Sequence, residues 1–214
     1  MKLLKNILVG FVVSFIGSIP LGYLNIAGFE LHRQSELPTT IWYLLGVVTI
    51  EVFVIYFTLV FANSLAANKK LMRFIEAFSI IFMLALAVYF YVQHLKTYSS
   101  KQVFWSYDVA SPYVLGLMLS CVNFMQIPFW TGWNLYLING NHIDPSAEKK
   151  YYYIIGTALG TFFGMLVFIL SMDALEATFS FSGFISLVIA VVFGIMGIVQ
   201  GWKFYRKYYA SKKP

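Results

Sequence analysis

The stretch Gly17-Ser18-Ile19-Pro20-Leu21-Gly22 interrupts an apolar run that extends from residue 7 to residue 31. Proline removes a backbone donor and clashes with the preceding helical turn. The flanking glycines let the backbone leave the helix and let a ligand come close. Pro128 interrupts a second apolar run, 112–138. Lipid does not tolerate unpaired backbone groups, so such breaks survive only inside protein or beside a polar cavity. One break in each half of the chain predicts a substrate path near the bilayer midplane.

Composition points the same way. Hydrophobic residues make up 60% of the 214 residues and charged residues 11%. A soluble domain carries about 25% charged residues. No polar stretch is long enough to fold in water, so one compact membrane bundle is expected, spanning residues 1–214 as a single domain. The net charge of +6 sits in short loops rather than on an extended basic face, which excludes a nucleic-acid partner. Cys121 is the single cysteine, so a CxxC redox pair is impossible and the residue reads as a small buried apolar group. Met1 to Ile16 resembles a signal peptide, but the run continues past Pro20 without a clear cleavage site, and a retained first span is expected.

A span needs about 20 apolar residues. Six are predicted, at 7–31, 40–63, 73–95, 112–138, 152–173 and 183–205. With that count, Lys2, Lys5, Lys69, Lys70, Arg73, Lys149, Lys150, Lys203, Arg206, Lys207, Lys212 and Lys213 share one side. Only Arg33, Lys96 and Lys101 lie on the other. This bias places both termini in the cytoplasm and the chain in the cytoplasmic membrane.

The two halves share a layout, about 1–98 and 110–214. Ile19-Pro20 matches Ile127-Pro128, and Tyr43-Leu44-Leu45-Gly46 matches Tyr153-Ile154-Ile155-Gly156. An odd number of spans per copy inverts the second copy. The predicted fold is therefore all-α: six transmembrane helices as two inverted three-helix repeats, with helices 1 and 4 broken.

Candidate site residues cluster at the breaks. Gly17, Pro20, Gly22 and Asn25 form the first group; Asn123, Gln126 and Pro128 form the second, with Thr131 and Asn134 beyond. Buried amides need partners, so they either line a cavity or join helices. Trp130 and Trp133 read first as lipid or packing contacts. Glu51 lies midway through span two, where the neutral acid is favoured over the ion, the property a proton carrier needs. Glu30, Glu36, Asp108, Asp144, Glu148 and Glu176 fall at span ends and read as solvated; Glu76 is spaced to pair with Arg73. The histidines make no metal-like spacing with a carboxylate or thiol inside the membrane. No metal, no cofactor and no catalytic cluster is expected. Gly156, Gly160 and Gly164, and likewise Gly197 and Gly201, predict close helix packing, within the bundle or between two copies.

On these residues the chain resembles the LysE/RhtB family of amino-acid exporters. Gly17-Ser18-Ile19-Pro20-Leu21-Gly22-Tyr23-Leu24-Asn25 stands where that family has a Pro-Gly-Pro turn. Gly46-Val47-Val48-Thr49-Ile50-Glu51 resembles its glycine-plus-acid stretch in span two. Asn123, after Gly116-Leu117-Met118-Leu119-Ser120, resembles its Asn-Pro step, although Phe124 and Met125 follow here in place of Pro-Lys. The resemblance implies proton-driven efflux of amino acids or related small metabolites, without implying lysine as the substrate. A metal-ion exporter of the same superfamily and a non-transporting membrane scaffold or assembly protein are the alternative expectations.

Overall fold

The computed structural model describes residues 2–18, 22–99, 111–146, 148–179 and 185–210. Among these residues the chain is all helix, without strands. The helices are α1 (Lys2–Ser18), α2 (Tyr23–Gln34), α3 (Leu37–Val60), α4 (Ala62–Ala67), α5 (Lys69–Ser99), α6 (Pro112–Cys121), α7 (Gln126–Asn139), α8 (Lys149–Phe179) and α9 (Ile185–Tyr208). Pro38 and Pro112 open α3 and α6, where a missing N–H costs nothing. α7 stops at Gly140, and Asn141 takes a left-handed φ of 53°, a conformation asparagine tolerates.

By length and composition α3, α5 and α8 are each able to cross a membrane. The pairs α1–α2 and α6–α7 raise the count to five if each is one span. α1 and α2 are bent by 74°, and α6 and α7 by 72°. Pro20, with Ile19 and Leu21, lies outside the described residues.

The second break differs from the sequence expectation. It falls at Val122–Met125, and Pro128 is the third residue of α7. The first N–H groups of a helix have no intrahelical partner, so Pro128 disrupts nothing there. Short turns close the gap instead: Asn123 N–H bonds Ser120 C=O at 3.1 Å, and Phe124 N–H bonds Val122 C=O at 3.0 Å. Pro128 itself therefore does not mark the second break.

The chain divides into two compact units, residues 1–69 with 107–174, and residues 70–106 with 175–214. In the first, glycines bring backbones into contact. A Cβ on Gly156, Gly160 or Gly164 would lie 2.2, 2.4 or 2.8 Å from the carbonyl oxygen of Ile7, Phe11 or Phe15. Contacts that advance together by four residues mean that α1 and α8 run parallel. Elsewhere in this unit, Gly46 of α3 abuts the Tyr113 carbonyl, and Gly116 of α6 abuts the Tyr43 carbonyl. The buried cluster Ile55, Leu59, Trp130, Leu137, Ile143, Tyr153 and Ile154 fills the space beyond. Asn6, which the sequence reading passed over, anchors the start of α1. Its amide donates to the Asp144 and Lys149 carbonyls, both at 2.9 Å, and accepts from Asp144 N–H. The Lys149 ammonium and the Ser146 hydroxyl hold the Asp144 carboxyl well below its usual range.

In the second unit, Gly194, Gly197 and Gly201 of α9 face Ala87, Leu84 and Ile80 of α5. One series rises as the other falls, so α5 and α9 run antiparallel. Both glycine stripes thus serve packing within one chain. Glu76 pairs with Lys207 at 2.6 Å and not with Arg73, because α9 delivers the ammonium to its carboxyl. Arg73 stacks instead on Tyr208 and Tyr209.

The glycine contacts yield a sharp contrast. Gly156→Val pushes a side chain into backbone, whereas Gly132 has no atom within 4 Å of a built Cβ. Gly156→Val should lower stability by about 1–3 kcal/mol or more. Gly132→Ala should be neutral or slightly stabilising, both measured by thermal unfolding in one detergent.

Candidate polar site at the meeting of four helices

Glu51 sits on α3 among apolar residues, and three other helices of the first unit bring polar groups to it or to its partner. Trp130 of α7 donates its indole N–H to Glu51 Oε1 at 3.1 Å. The Thr161 hydroxyl of α8 also hydrogen-bonds the carboxyl. The Ser14 hydroxyl of α1 lies 2.6 Å from Thr161 Oγ1. Trp130, Ser14 and Thr161 are fully buried, while Glu51 is half-buried.

Trp130 packs in the buried cluster, as the sequence expectation of lipid or packing contact allows, and adds a bond to the carboxyl. The first half-turns of α7 turn its ring inward, and its one polar atom finds the carboxyl. Trp133, three residues on, is 37% exposed and fits the outward role. Ser14 and Thr161 were missed. Their signal was faint but present: each stands beside a glycine face, four residues after Gly10 and one after Gly160.

A second buried layer lies along α3, α7 and α8. Tyr153 Oη donates to Asn134 Oδ1 at 2.8 Å, and Asn134 Nδ2 donates to Thr58 Oγ1 at 3.1 Å. The Thr58 hydroxyl donates in turn to the Val54 carbonyl at 2.7 Å. Asn134 therefore joins helices, the structural role open to it from the sequence.

At each break a side-chain amide caps a carbonyl of the half-helix before it. Asn25 Nδ2 donates to Ser18 C=O at 2.6 Å, and Gln126 Nε2 donates to Ser120 C=O at 3.0 Å. Both amides are buried. Asn123 is half-buried within the second break. Gly22 caps α2 in an ordinary extended conformation, with φ −96° and ψ 154°. A Cβ on Gly17 would lie 2.9 Å from the Phe129 ring, so Gly17 makes room for α7. The hydroxyls of Ser120 and Thr131 are buried and have no hydrogen-bond partner among the described residues. The structure thus brings Glu51 together with Trp130, Thr161 and Ser14. Asn25, Gln126 and Asn123 stand at the breaks, where the Asn25 and Gln126 amides bond backbone carbonyls.

Other expectations shift. Cys121 is exposed, because α6 ends there and turns its side chain outward. Glu30 is buried and pairs with Arg33 at 3.2 Å rather than standing in solvent. Among the described residues no three of His, Cys, Asp and Glu come together in a group able to hold a metal ion. No protein family, no curated protein and no solved structure matches this chain.

The buried layer is separable from the carboxyl site by mutation. Asn134→Leu strands the Tyr153 hydroxyl and should cost about 1–3 kcal/mol of stability. Adding Tyr153→Phe should recover part of that loss. Unfolding of the two single variants and the double variant measures the coupling.

Proposed function

We propose that the chain is a six-span secondary transporter of the cytoplasmic membrane that exports amino acids or related small metabolites in exchange for protons. The observation that carries this reading is Glu51. It is a carboxyl deep in an apolar helix, hydrogen-bonded across helices, with accessible surface remaining. An ionisable group at that depth is costly and marks ion or substrate pathways.

Two packing directions support six crossings, if α3, α5, α8 and α9 each cross. α5 and α9 are antiparallel. Only a crossing by α6–α7 gives that result; a loop that turned back would make them parallel. α1 and α8 are parallel. Given the first result, that direction requires α1–α2 to cross as well. The bends permit it. Halves of 17 and 12 residues, each leaning about 37° from the membrane normal, rise about 35 Å together. The 10 and 14 residues of α6 and α7 rise about 29 Å in the same way. Both match a hydrocarbon core of about 30 Å.

Contacts within the first unit also favour inverted repeats. Gly46 meets α6 at Gly116, and Gly156 meets α1 near Gly10. The second span of each half thus packs on the first span of the other. Glu51 stands eight residues after Tyr43, and Thr161 eight after Tyr153. These matching positions touch each other, as equivalent residues do beside a two-fold axis. The charge bias then puts both termini in the cytoplasm. Glu51 carries the proton in this account. Asn25, Asn123 and Gln126, with Gly17, Pro20 and Gly22 around the first interruption and Pro128 in the first turn after the second, shape the substrate path. The resemblance to the LysE/RhtB exporters supplies the substrate class and the outward direction.

Glu51→Gln should reduce proton-coupled efflux on the order of 10- to 100-fold, in the range of coupling between linked sites. The assay compares extracellular metabolites of cells carrying the wild-type chain, the variant or neither. Equal profiles in all three would remove transport and favour a scaffold. Sensitivity to a divalent metal that follows the chain would favour the metal exporter.

A further inference from the structure

Among the described residues of the first unit, the carboxyl, imidazole, ammonium and guanidinium groups other than Glu51 lie between helices or within about a turn of a helix end, except Asp173 of α8, twelve residues beyond Thr161. Its hydrogen-bond partners Trp130 and Thr161 are neutral. The elements packed against α3 contribute further uncharged groups. α6 carries Tyr113 and Ser120, α7 carries Asn134, and α2 carries Asn25. In the last turns of α2, Glu30 pairs with Arg33, and the His32 ring bonds the Thr40 hydroxyl of α3 at 3.0 Å, eleven residues before Glu51.

An ionised carboxylate out of water needs a positive partner, and among the described residues none bonds Glu51. A carboxylate has about four lone-pair positions. Two neutral donors leave the others open. The group is stable with a proton on one oxygen, or with a cation beside it. Both claims fall on the same oxygens, so one occupant excludes the other.

We propose that Glu51 holds in turn a proton and the cationic nitrogen of the transported molecule, and that their competition couples the two fluxes. This rests on the transport reading above and adds to it the class of ligand: a molecule bearing an ammonium group. No second titratable site is then needed for exchange. A ligand can shift the equilibrium only by preferring one state. A cation prefers the ionised carboxylate and a proton abolishes that state, so each expels the other. The hydroxyls follow: Thr161 donates to the ionised group and can accept from the neutral acid, with Ser14 as the reversible neighbour.

The test is counterflow in proteoliposomes at equal pH on both sides. The vesicles are loaded with a mixture of the twenty L-amino acids, with the same mixture labelled outside. Such exchange moves no net proton. Wild-type chain should accumulate label, and more weakly as the common pH is lowered through the protonation of the carboxyl. Glu51→Gln should lower accumulation at least tenfold, and Glu51→Asp, which keeps the charge, should retain part of it. A second measurement needs no variant. Adding the mixture to the purified wild-type chain in weak buffer, at a pH low enough to weaken counterflow, should release about one proton per molecule bound, because the cation then displaces a proton already on the carboxyl. Wild-type counterflow by Glu51→Gln, or binding without proton release, would overturn the shared site while leaving transport standing. A wild-type chain that exchanges nothing overturns the transport reading and this one with it.

Discussion

The bond from the Trp130 indole to the Glu51 carboxyl joins α7 to α3 inside an apolar shell. Most of what is unusual in the first unit surrounds that bond. A hydrogen bond to a charged group is worth about 1.5–3 kcal/mol. That is less than the cost of holding an uncompensated ion in lipid, which remains several kcal/mol after relaxation. The bond orients the carboxyl and leaves its charge unresolved. A group in that condition responds to whatever positive species reaches it, which is a reason for it to be present in a membrane helix at all.

The glycine contacts supply the geometry. α8 lies on α1 with backbone against backbone, and α3 meets α6 in the same manner. Close approach of this kind brings short side chains within reach, so Ser14 and Thr161 meet at 2.6 Å. Wider spacing would separate them. Around this seam, bulky residues such as Phe53, at 57% exposure, and Phe57, at 53%, turn outward. Such surface suits lipid and not water. Stability therefore comes from tight packing and satisfied hydrogen bonds, since burial between helices gains little over contact with lipid.

Much of this was legible in the sequence, and the limits have physical causes. The apolar runs, the two interruptions and the isolated acid were plain, because lipid penalises departures from an apolar helix. The site of the second break was misread: a proline draws attention, but in the first turn of α7 it is harmless, and the break belongs to the residues before it. Asn6 and Ser14 were passed over because one polar side chain in an apolar run carries no mark of what it will meet. Trp130 was weighed as an apolar ring, although its single N–H decides its place. Glu76 was paired by helical spacing, which knows nothing of the ammonium that α9 brings.

The claim beneath all of this is that position 51 opens onto water within the bundle and not onto lipid. The most direct measurement replaces Glu51 with cysteine in a chain whose Cys121 is serine. Charged, water-soluble methanethiosulfonate reagents are then applied to vesicles of both orientations. These reagents react with a thiolate, which forms only where water reaches. The account predicts modification at position 51 from both sides of the membrane. Modification by lipid-soluble maleimides alone, with none by the charged reagents from either side, would contradict it.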